Sequence, residues 1–376
     1  MYVSRAHHGP HVPHSLVPLI LGILAVSGTV LAWAAFNARP LSTDSKVAIH
    51  DPIAASQVRA IAYSVPGAGV DNIYVRALGP GSEPALIATF PYVYGLHARG
   101  SASPRADTIA VLSVSSDPTY AQMALLDVAG RTSMPVAAEF DYLSTLAWSQ
   151  DGWRVTGVQS GPADSSARVA AAVIEVDVRT GQATPVARFE GVFEAAPVGY
   201  SPGGDRLYVV TVNQSGSTLW VVKEGATEKV GVLSAGRTRD WALSPDGARL
   251  AYIDIRAGSD RAYTGRTMLL ATGAITEQPA DGDQIGVAWL PGSEIPAFGG
   301  PGGSVRLTGA DEQEAYVVPV RWSPDGTVLA ARVFSPGDRE GRTGVSETLE
   351  ITTAESRLFL TDRAGAWAFG FVIDAD

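Results

Sequence analysis

One short motif recurs along the chain and constrains the fold more than any other feature. Its clearest copies, Ser323–Gly326 and Ser244–Gly247, both read Ser-Pro-Asp-Gly and are followed by apolar runs. Proline presets φ for a tight turn, aspartate can bond to the backbone that follows it, and glycine accepts a positive φ. The motif therefore predicts a turn between two antiparallel strands. Less regular copies occur at Ser201–Gly204, Ser149–Gly152, Ser103–Ala106 and Pro291–Ser293.

The spacing of the copies predicts the architecture. Matched positions fall at residues 104, 150, 202, 245, 291 and 324, which are roughly 33 to 52 residues apart. A period of about 40 to 50 residues with four short strands is typical of a β-propeller blade. The alternative is a sandwich of unrelated hairpins. The repeats predict an all-β propeller of seven blades, with six or eight left open because the sixth repeat is short: 58–90, 92–139, 142–190, 193–234, 238–282, 284–318 and 319–362.

The end of the chain supplies a strand without an obvious partner. This strand covers 366–373, whereas the first blade, which we place at 58–90, has residues for three strands only. An unpaired sheet edge invites association with other chains, and a propeller removes that edge by closing its ring. We therefore expect the C-terminal strand to join the first blade.

Three segments carry a resemblance to a known family. Residues 322–330 and 243–251 combine an aromatic or apolar residue, Ser-Pro-Asp-Gly and a strand, and residues 73–75 read Ile-Tyr-Val. These segments resemble the TolB-type propeller repeat, and the resemblance covers roughly residues 58 to 373. It implies the propeller fold. Propellers of this kind serve as periplasmic interaction platforms, or accompany prolyl-oligopeptidase-like hydrolases as non-catalytic domains.

The N-terminal region predicts a membrane anchor. Residues 1–15 form a polar tail containing His7, His8, His11 and His14, and residues 16–36 carry no charge. Twenty-one helical residues can cross a hydrocarbon layer of about 30 Å. We expect an uncleaved transmembrane helix, with a cleaved signal peptide as the alternative, followed by a tether over 37–57. The propeller domain then occupies 58–376.

Small residues lie three or four positions apart along the expected helix and form one face. Such a face lets a second membrane helix approach closely, although glycine and alanine are also common in membrane helices generally. We expect contact with other membrane subunits and with the lipid bilayer. Positive charges flank the helix almost equally, so we expect an extracytoplasmic (periplasmic) propeller while the cytoplasmic side stays open. The packing residues are Gly22, Ala25, Gly28, Ala32 and Ala35.

Composition argues against several kinds of chemistry. The net charge is −10 with no basic tract, and cysteine is absent. Nucleic acid is therefore not an expected partner, and thiol chemistry and thiolate metal sites are excluded. His97 is the one histidine of the expected propeller, and we place it in an apolar strand of the second blade as a packed residue. We expect no catalytic residues, no cofactor and no metal.

Long loops on one face of the propeller are the expected binding surface, because function concentrates on loops held by a rigid scaffold. They cover 160–168, 256–267 and 335–347, and two are rich in arginine, which is favoured at interfaces. The sequence predicts a membrane-anchored, non-enzymatic scaffold or accessory subunit of a larger membrane complex, with an energy-transducing complex as one host. The candidate partner-binding residues are Arg256, Asp260, Arg261, Tyr263, Arg266, Asp338, Arg339 and Arg342.

A second interpretation uses the centre of the ring. Polar residues at the starts of the innermost strands could line an axial pocket that binds a ligand or hydrolyses a substrate. This interpretation names Arg239, Asp240, Asp141 and His97. A cluster of these side chains around the axis would favour it.

Overall fold

The computed structural model describes residues 58–374 except 80, 115–119, 257, 259–260, 306–315, 338–343 and 354–355. Throughout this part of the chain the regular elements are β-strands, numbered β1 to β26 in chain order, and the fold is an all-β propeller. No helix long and apolar enough to cross a bilayer occurs among these residues. The polar tail, the expected transmembrane helix and the tether lie outside them.

Six sheets have four antiparallel strands and one has two, so six four-stranded blades are present in the described residues. The sheets are numbered 1 to 7 in the order in which their first residues occur along the chain. The first three sheets contain these strands: β1 (Val58–Pro66), β2 (Val70–Ala77) and β3 (Ala85–Pro91) with the final strand β26 (Trp367–Ile373); β4 (Arg99–Ala102), β5 (Thr108–Ser113), β6 (Tyr120–Asp127) and β7 (Thr132–Asp141); β8 (Ala147–Trp148), β9 (Arg154–Ser160), β10 (Val169–Asp177) and β11 (Ala183–Val192).

The other four sheets follow in the same way. They contain these strands: β12 (Glu194–Tyr200), β13 (Leu207–Asn213), β14 (Gly216–Lys223) and β15 (Ala226–Ser234); β16 (Thr238–Leu243), β17 (Arg249–Ile255), β18 (Tyr263–Leu269) and β19 (Ala274–Glu277); β20 (Ile285–Trp289) and β21 (Pro296–Gly299); β22 (Tyr316–Trp322), β23 (Leu329–Gly337), β24 (Gly344–Thr352) and β25 (Arg357–Thr361).

The sixth repeat differs from the expected boundaries. Residues 316–318, which the repeat spacing assigned to the sixth blade, belong to β22 and pair with β23 in sheet 7. Sheet 6 consists of β20 and β21 in the described residues. β20 packs against β16 on one side and β22 on the other, so sheet 6 lies between sheets 5 and 7. The repeat boundary was wrong because this repeat has no clear Ser-Pro-Asp-Gly copy to fix its register.

The C-terminal strand closes the ring, as the sequence predicted. β26 pairs antiparallel with β1, with Phe371 opposite Ile61, and gives the sheet order β26-β1-β2-β3. The backbone N–H of Ile373 also donates to the carbonyl of Ala106 in sheet 2, 2.9 Å away. Phe369 of the same strand is 2% exposed and packs in the apolar cluster that joins sheets 1 and 2. The first and last parts of the propeller are therefore held together by backbone pairing and by core packing.

The recurring turns have the expected structure. In the copy at 323–326, the N–H of Gly326 donates to the carbonyl of Ser323, and the Ser323 hydroxyl donates to Asp325 Oδ1 at 2.6 Å. The N–H of Val328 donates to Ser323 Oγ at 2.9 Å, so one buried serine organises both sides of the turn. Gly326 has φ of 73°, a conformation that favours glycine. These turns connect the first two strands of their blades.

The topology separates two ends of the ring, which we name for use below. The turn face carries the Ser-Pro-Asp-Gly turns, where the innermost strands end. The mouth face carries the connections between blades, such as 92–98, 142–146 and 362–366, where the innermost strands begin. The second strands of the blades also end, and the third strands begin, on the mouth face.

Candidate functional site

The arginine-rich loop of sheet 5 forms an internal ion network. Arg256 contacts Asp254 at 3.2 Å and Glu277 at 2.9 Å, and Arg261 contacts Glu277 at 2.9 Å. Arg266 reaches Asp254 at 3.3 Å. Asp254 is 2% exposed, and these arginines give the buried side chain its ion-pair partners. The structure thus brings three of the predicted partner-binding arginines together and pairs them with acids of the same sheet.

The other predicted partner-binding residues divide into two groups. Tyr263 is half-buried beside this network, and its backbone N–H donates to Asp283 Oδ1 at 3.0 Å. The rest lie outside the described residues, and their role stays a prediction, as does that of the helix-packing residues. The partner-binding residues outside the described part are Asp260, Asp338, Arg339 and Arg342. The helix-packing residues, also outside it, are Gly22, Ala25, Gly28, Ala32 and Ala35.

His97 lies in the connection between β3 and β4 and not in a strand, which corrects the sequence prediction. Tyr94 and Gly95 have positive φ values of 56° and 71°, so the backbone turns before it reaches β4. His97 Nδ1 lies 3.0 Å from Asp71 Oδ1, and the N–H of Ala98 donates to Asp71 Oδ2 at 2.5 Å. Burial raises the pKa of Asp71, and these hydrogen bonds oppose that rise. The pair ties sheet 1 to sheet 2.

An axial pocket of about 350 Å³ opens among the first residues of β16, β20, β22 and β26. Its walls combine aromatic, aliphatic and charged side chains. Arg239 and Asp240, two of the four residues named for such a pocket, line it. Asp141 does not, since its carboxylate accepts hydrogen bonds from the N–H and hydroxyl of Ser160. The residues that shape the pocket are Arg239, Asp240, Trp241, Tyr316, Val318, Pro319, Arg332, Phe334 and Trp367.

A β-bulge aims Asp240 at the neighbouring sheet. The pairing of β16 with β17 shifts between Arg239 and Ala242, and Asp240 has φ of 52°. A bulge redirects a side chain, and aspartate tolerates this backbone conformation better than most residues. Asp240 Oδ2 accepts the N–H of Gly286 at 3.0 Å and Arg239 Nε at 3.1 Å. Asp240 therefore links sheets 5 and 6 and neutralises one arginine of the pocket.

Arg99 begins β4 on the mouth face, and its guanidinium has no ion pair with any carboxylate in the described part of the chain. Arg332, by contrast, pairs with Glu347 at 2.5 Å. The Arg99 guanidinium lies 4.5 Å from the ring centre of Trp367 and 5.5 Å from that of Tyr142. Burial lowers the pKa of Arg99, and the nearby Arg332 acts in the same direction. The positive charge of Arg99 is held by aromatic faces instead of a carboxylate.

A second arginine, Arg321 of β22, reaches across to β4, the strand that Arg99 begins. Arg321 donates to the carbonyl of Ala102 and to Ser101 Oγ, both at 3.0 Å, and burial lowers its pKa. It has no ion pair with the described carboxylates. No three carboxylate or histidine side chains in the described residues converge as a metal site requires. Arg99 and Arg321 are thus two arginines beside β4 without an ion pair to a described carboxylate, although the chain as a whole carries −10.

Comparisons with known proteins identify the fold. The β-propeller domain of the Trilobed protease from Pyrococcus furiosus is 11% identical, with a TM-score of 0.51; the match covers 81% of this chain and 99% of that one. The chain is a β-propeller. A prolyl endopeptidase is 12% identical with a TM-score of 0.52, and the match covers 91% of this chain but only 55% of that chain.

TolB-type propellers are also among the structural neighbours. TolB from Acinetobacter baumannii is 14% identical to this propeller, with a TM-score of 0.49 and coverage of 95% of this chain and 74% of that one. No family model and no curated protein matches the sequence. At these identities the similarity concerns the fold, and one fold hosts many functions. The functional argument therefore depends on the residues of the axial pocket.

Sequence reasoning missed the arginines beside the pocket and its aromatic wall. Arg99 stands in a short strand with no motif around it, Arg321 directly precedes the turn at 322–326 but was not singled out, and Trp367 was noted only as part of the closing strand. Arg99 and Trp367 are adjacent because ring closure brings β26 beside β4. A search for charged or aromatic residues at the starts of all innermost strands, including the closing strand, would have found both.

Proposed function

We propose that this chain is a membrane-anchored, non-enzymatic propeller of seven blades that binds a partner on its mouth face. In this proposal residues 16–36 anchor the chain, the propeller is extracytoplasmic, and the partner is a subunit of a larger membrane complex. The small-residue stripe of the helix would contact other membrane helices. In this proposal the two-stranded sheet 6 is also a blade, which with the six four-stranded sheets makes seven. Its place between sheets 5 and 7 supports this count.

The observation that carries the proposal is the group of arginine and aromatic side chains beside the axial pocket. Arginine, tryptophan and tyrosine dominate the energetics of protein interfaces, where they occupy pockets near the centre. Arg99, Trp367 and Tyr142 form such a group on the mouth face. The same face exposes two large apolar side chains, Tyr94 at 57% and Leu143 at 72%. A partner covering this face would bury them together with the pocket.

The experiment compares the two faces by site-specific photocrosslinking in native membranes. A photoreactive amino acid replaces Leu143 on the mouth face or, as the matched control, Ile295 on the turn face. These residues are similarly exposed, at 72% and 70%. We expect a discrete crosslinked membrane protein from position 143 and none from position 295. Equal crosslinking from both positions, or from the control alone, would contradict a partner on the mouth face.

The alternative is a propeller that binds a small ligand in the axial pocket without a protein partner. The pocket volume of about 350 Å³ is at the lower end of the range for ligand sites, which favours this second candidate. It predicts that position 143 gives no specific crosslink and that a small molecule protects the pocket from modification. The hydrolytic form of this alternative would need a general base, and Asp240 is already engaged by Arg239 and Gly286.

A further inference from the structure

The charges around the axial pocket do not balance. The two arginines that line it have acids beside them: Arg239 pairs with Asp240 at 3.1 Å, and Arg332 pairs with Glu347. Arg99 lies beside the pocket, against its Trp367 wall, and its guanidinium has no ion pair or hydrogen bond to any other described residue. A partly buried cation without a counterion is costly unless a ligand or solvent supplies the opposite charge. Arg99 is therefore a positive charge beside the pocket without a counterion among the described residues, in a chain whose net charge is −10.

The position of Arg99 leaves its hydrogen-bonding edge available. Its guanidinium contacts two aromatic rings, at 4.5 Å from Trp367 and 5.5 Å from Tyr142. A cation–π contact uses the flat face of the guanidinium, whereas the N–H donors lie in its plane. A planar pair of N–H groups matches the two oxygens of a carboxylate. Arg99 is thus arranged to bind an anion through the N–H groups at the edge of its guanidinium.

The aromatic platform is itself fixed by hydrogen bonds. Trp367 Nε1 donates to the carbonyl of Gly100 at 2.8 Å, and the backbone N–H of Trp367 donates to Ser64 Oγ at 3.1 Å. The Tyr142 hydroxyl donates to the carbonyl of His97 at 2.8 Å. A binding group whose supports are already bonded loses little freedom when its ligand arrives. This arrangement is therefore preorganised for binding.

The pocket next to Arg99 selects for more than a simple ion. Tyr316 and Phe334 stack with their ring centres 5.0 Å apart, and together with Val318 and Trp367 they give the pocket an apolar wall. A volume of about 350 Å³ exceeds what a carboxylate group alone would fill. Apolar walls gain free energy when they bury apolar ligand surface. The pocket therefore suits an anion that carries an apolar substituent.

We infer that the axial pocket, together with Arg99 beside its Trp367 wall, binds a carboxylate attached to an apolar or aromatic group. Arg99 pairs with the carboxylate, and the wall of Trp367 and Phe334 covers the apolar part. This inference rests on the mouth-face site of the proposed function and specifies the chemistry recognised there. Both a free carboxylic acid and the C-terminal end of a partner chain offer this chemistry. A single uncompensated arginine fits a monovalent carboxylate better than a phosphate dianion, which needs more donors.

The experiment measures binding to the full chain by calorimetry and by tryptophan fluorescence. The probes are benzoate, a tripeptide ending in phenylalanine with a free carboxylate, the same tripeptide as its C-terminal amide, and inorganic phosphate. The variant is Arg99→Gln. The matched control is Arg188→Gln, which removes the same charge from an exposed arginine of β11 that does not line the axial pocket. Thermal unfolding of both variants checks that the propeller is intact.

We expect a carboxylate probe to bind the unmodified chain, the amide to bind at least about tenfold more weakly, and Arg99→Gln to raise Kd by about tenfold or more. Arg188→Gln should leave Kd unchanged. Binding of benzoate alone identifies a small-molecule site, whereas preference for the tripeptide identifies a chain terminus. The inference is overturned if no carboxylate binds up to millimolar concentration, if the amide binds equally, or if phosphate binds better.

The amide comparison uses the unmodified chain, so it decides the question even where Arg99→Gln fails to fold. The two proposals also fail in different ways. Carboxylate binding without a crosslink at Leu143 would contradict the protein partner but keep the site. A crosslink at Leu143 without carboxylate binding would keep the partner and reject the recognition chemistry.

Discussion

Removing one aromatic side chain from the closing strand should weaken the whole ring. Phe369 of β26 is 2% exposed and packs in the apolar cluster between sheets 1 and 2. Phe369→Ala deletes this side chain and leaves a cavity that the strands on both sides can fill only in part. Core substitutions of this kind cost about 3 to 5 kcal/mol. For a domain of this size we expect a fall in Tm of roughly 4 to 8 °C.

The matched control is Phe359→Ala in β25. Phe359 is 50% exposed, so the same substitution removes much less buried surface and should cost about 1 kcal/mol or less. The carbonyl of Phe359 accepts a hydrogen bond from Arg76, and this backbone contact persists in the variant. The comparison therefore separates burial of the ring from any general effect of replacing phenylalanine.

The assay is urea unfolding and calorimetry of the full chain, combined with amide hydrogen exchange. Because β26 pairs with β1, Phe369→Ala should speed exchange at the amides of these two strands more than elsewhere. Phe359→Ala should leave their exchange unchanged. Equal free energies of unfolding for the two variants, or slow exchange of β26 in Phe369→Ala, would refute the view that this residue holds the closing strand.

Two further predictions concern other turns. Gly365→Ala should cost about 1 to 3 kcal/mol more than Gly273→Ala, because both glycines have positive φ but only at Gly365 would a Cβ meet the His97 ring, 2.3 Å away; equal urea midpoints would contradict this. Ser323→Ala should cost about 1 kcal/mol at pH 7. The Ser323 hydrogen bond holds the pKa of Asp325 below its usual value, so ionised Asp325 stabilises the fold above about pH 4 and loses this effect as pH falls further. The difference from the unmodified chain should therefore shrink between pH 7 and pH 3 in urea unfolding, and a constant difference would argue against the carboxylate.

Much of the fold was determined by residues close together in the sequence. The turn at 323–326 is built from contacts within six residues, so its proline, aspartate and glycine could be interpreted without a structure. Closure of the ring also followed from the sequence, because one strand was missing at the start and one was spare at the end. The sixth repeat was misjudged at its boundary because its turn lacks the motif that sets register elsewhere.

The binding site was decided by tertiary structure. Whether an arginine is neutralised depends on which acids the paired strands place beside it, as with Arg332 and Glu347 on β23 and β24. The arginine-rich loop of sheet 5 was visible in the sequence, but the sequence did not show that Asp254 and Glu277 pair with its arginines. Arg99 and Trp367 lie at opposite ends of the propeller sequence and meet only because the last strand joins the first blade. Local propensities fix turns and strands, whereas the charge and shape of the axial pocket arise from contacts that exist only once the ring has closed.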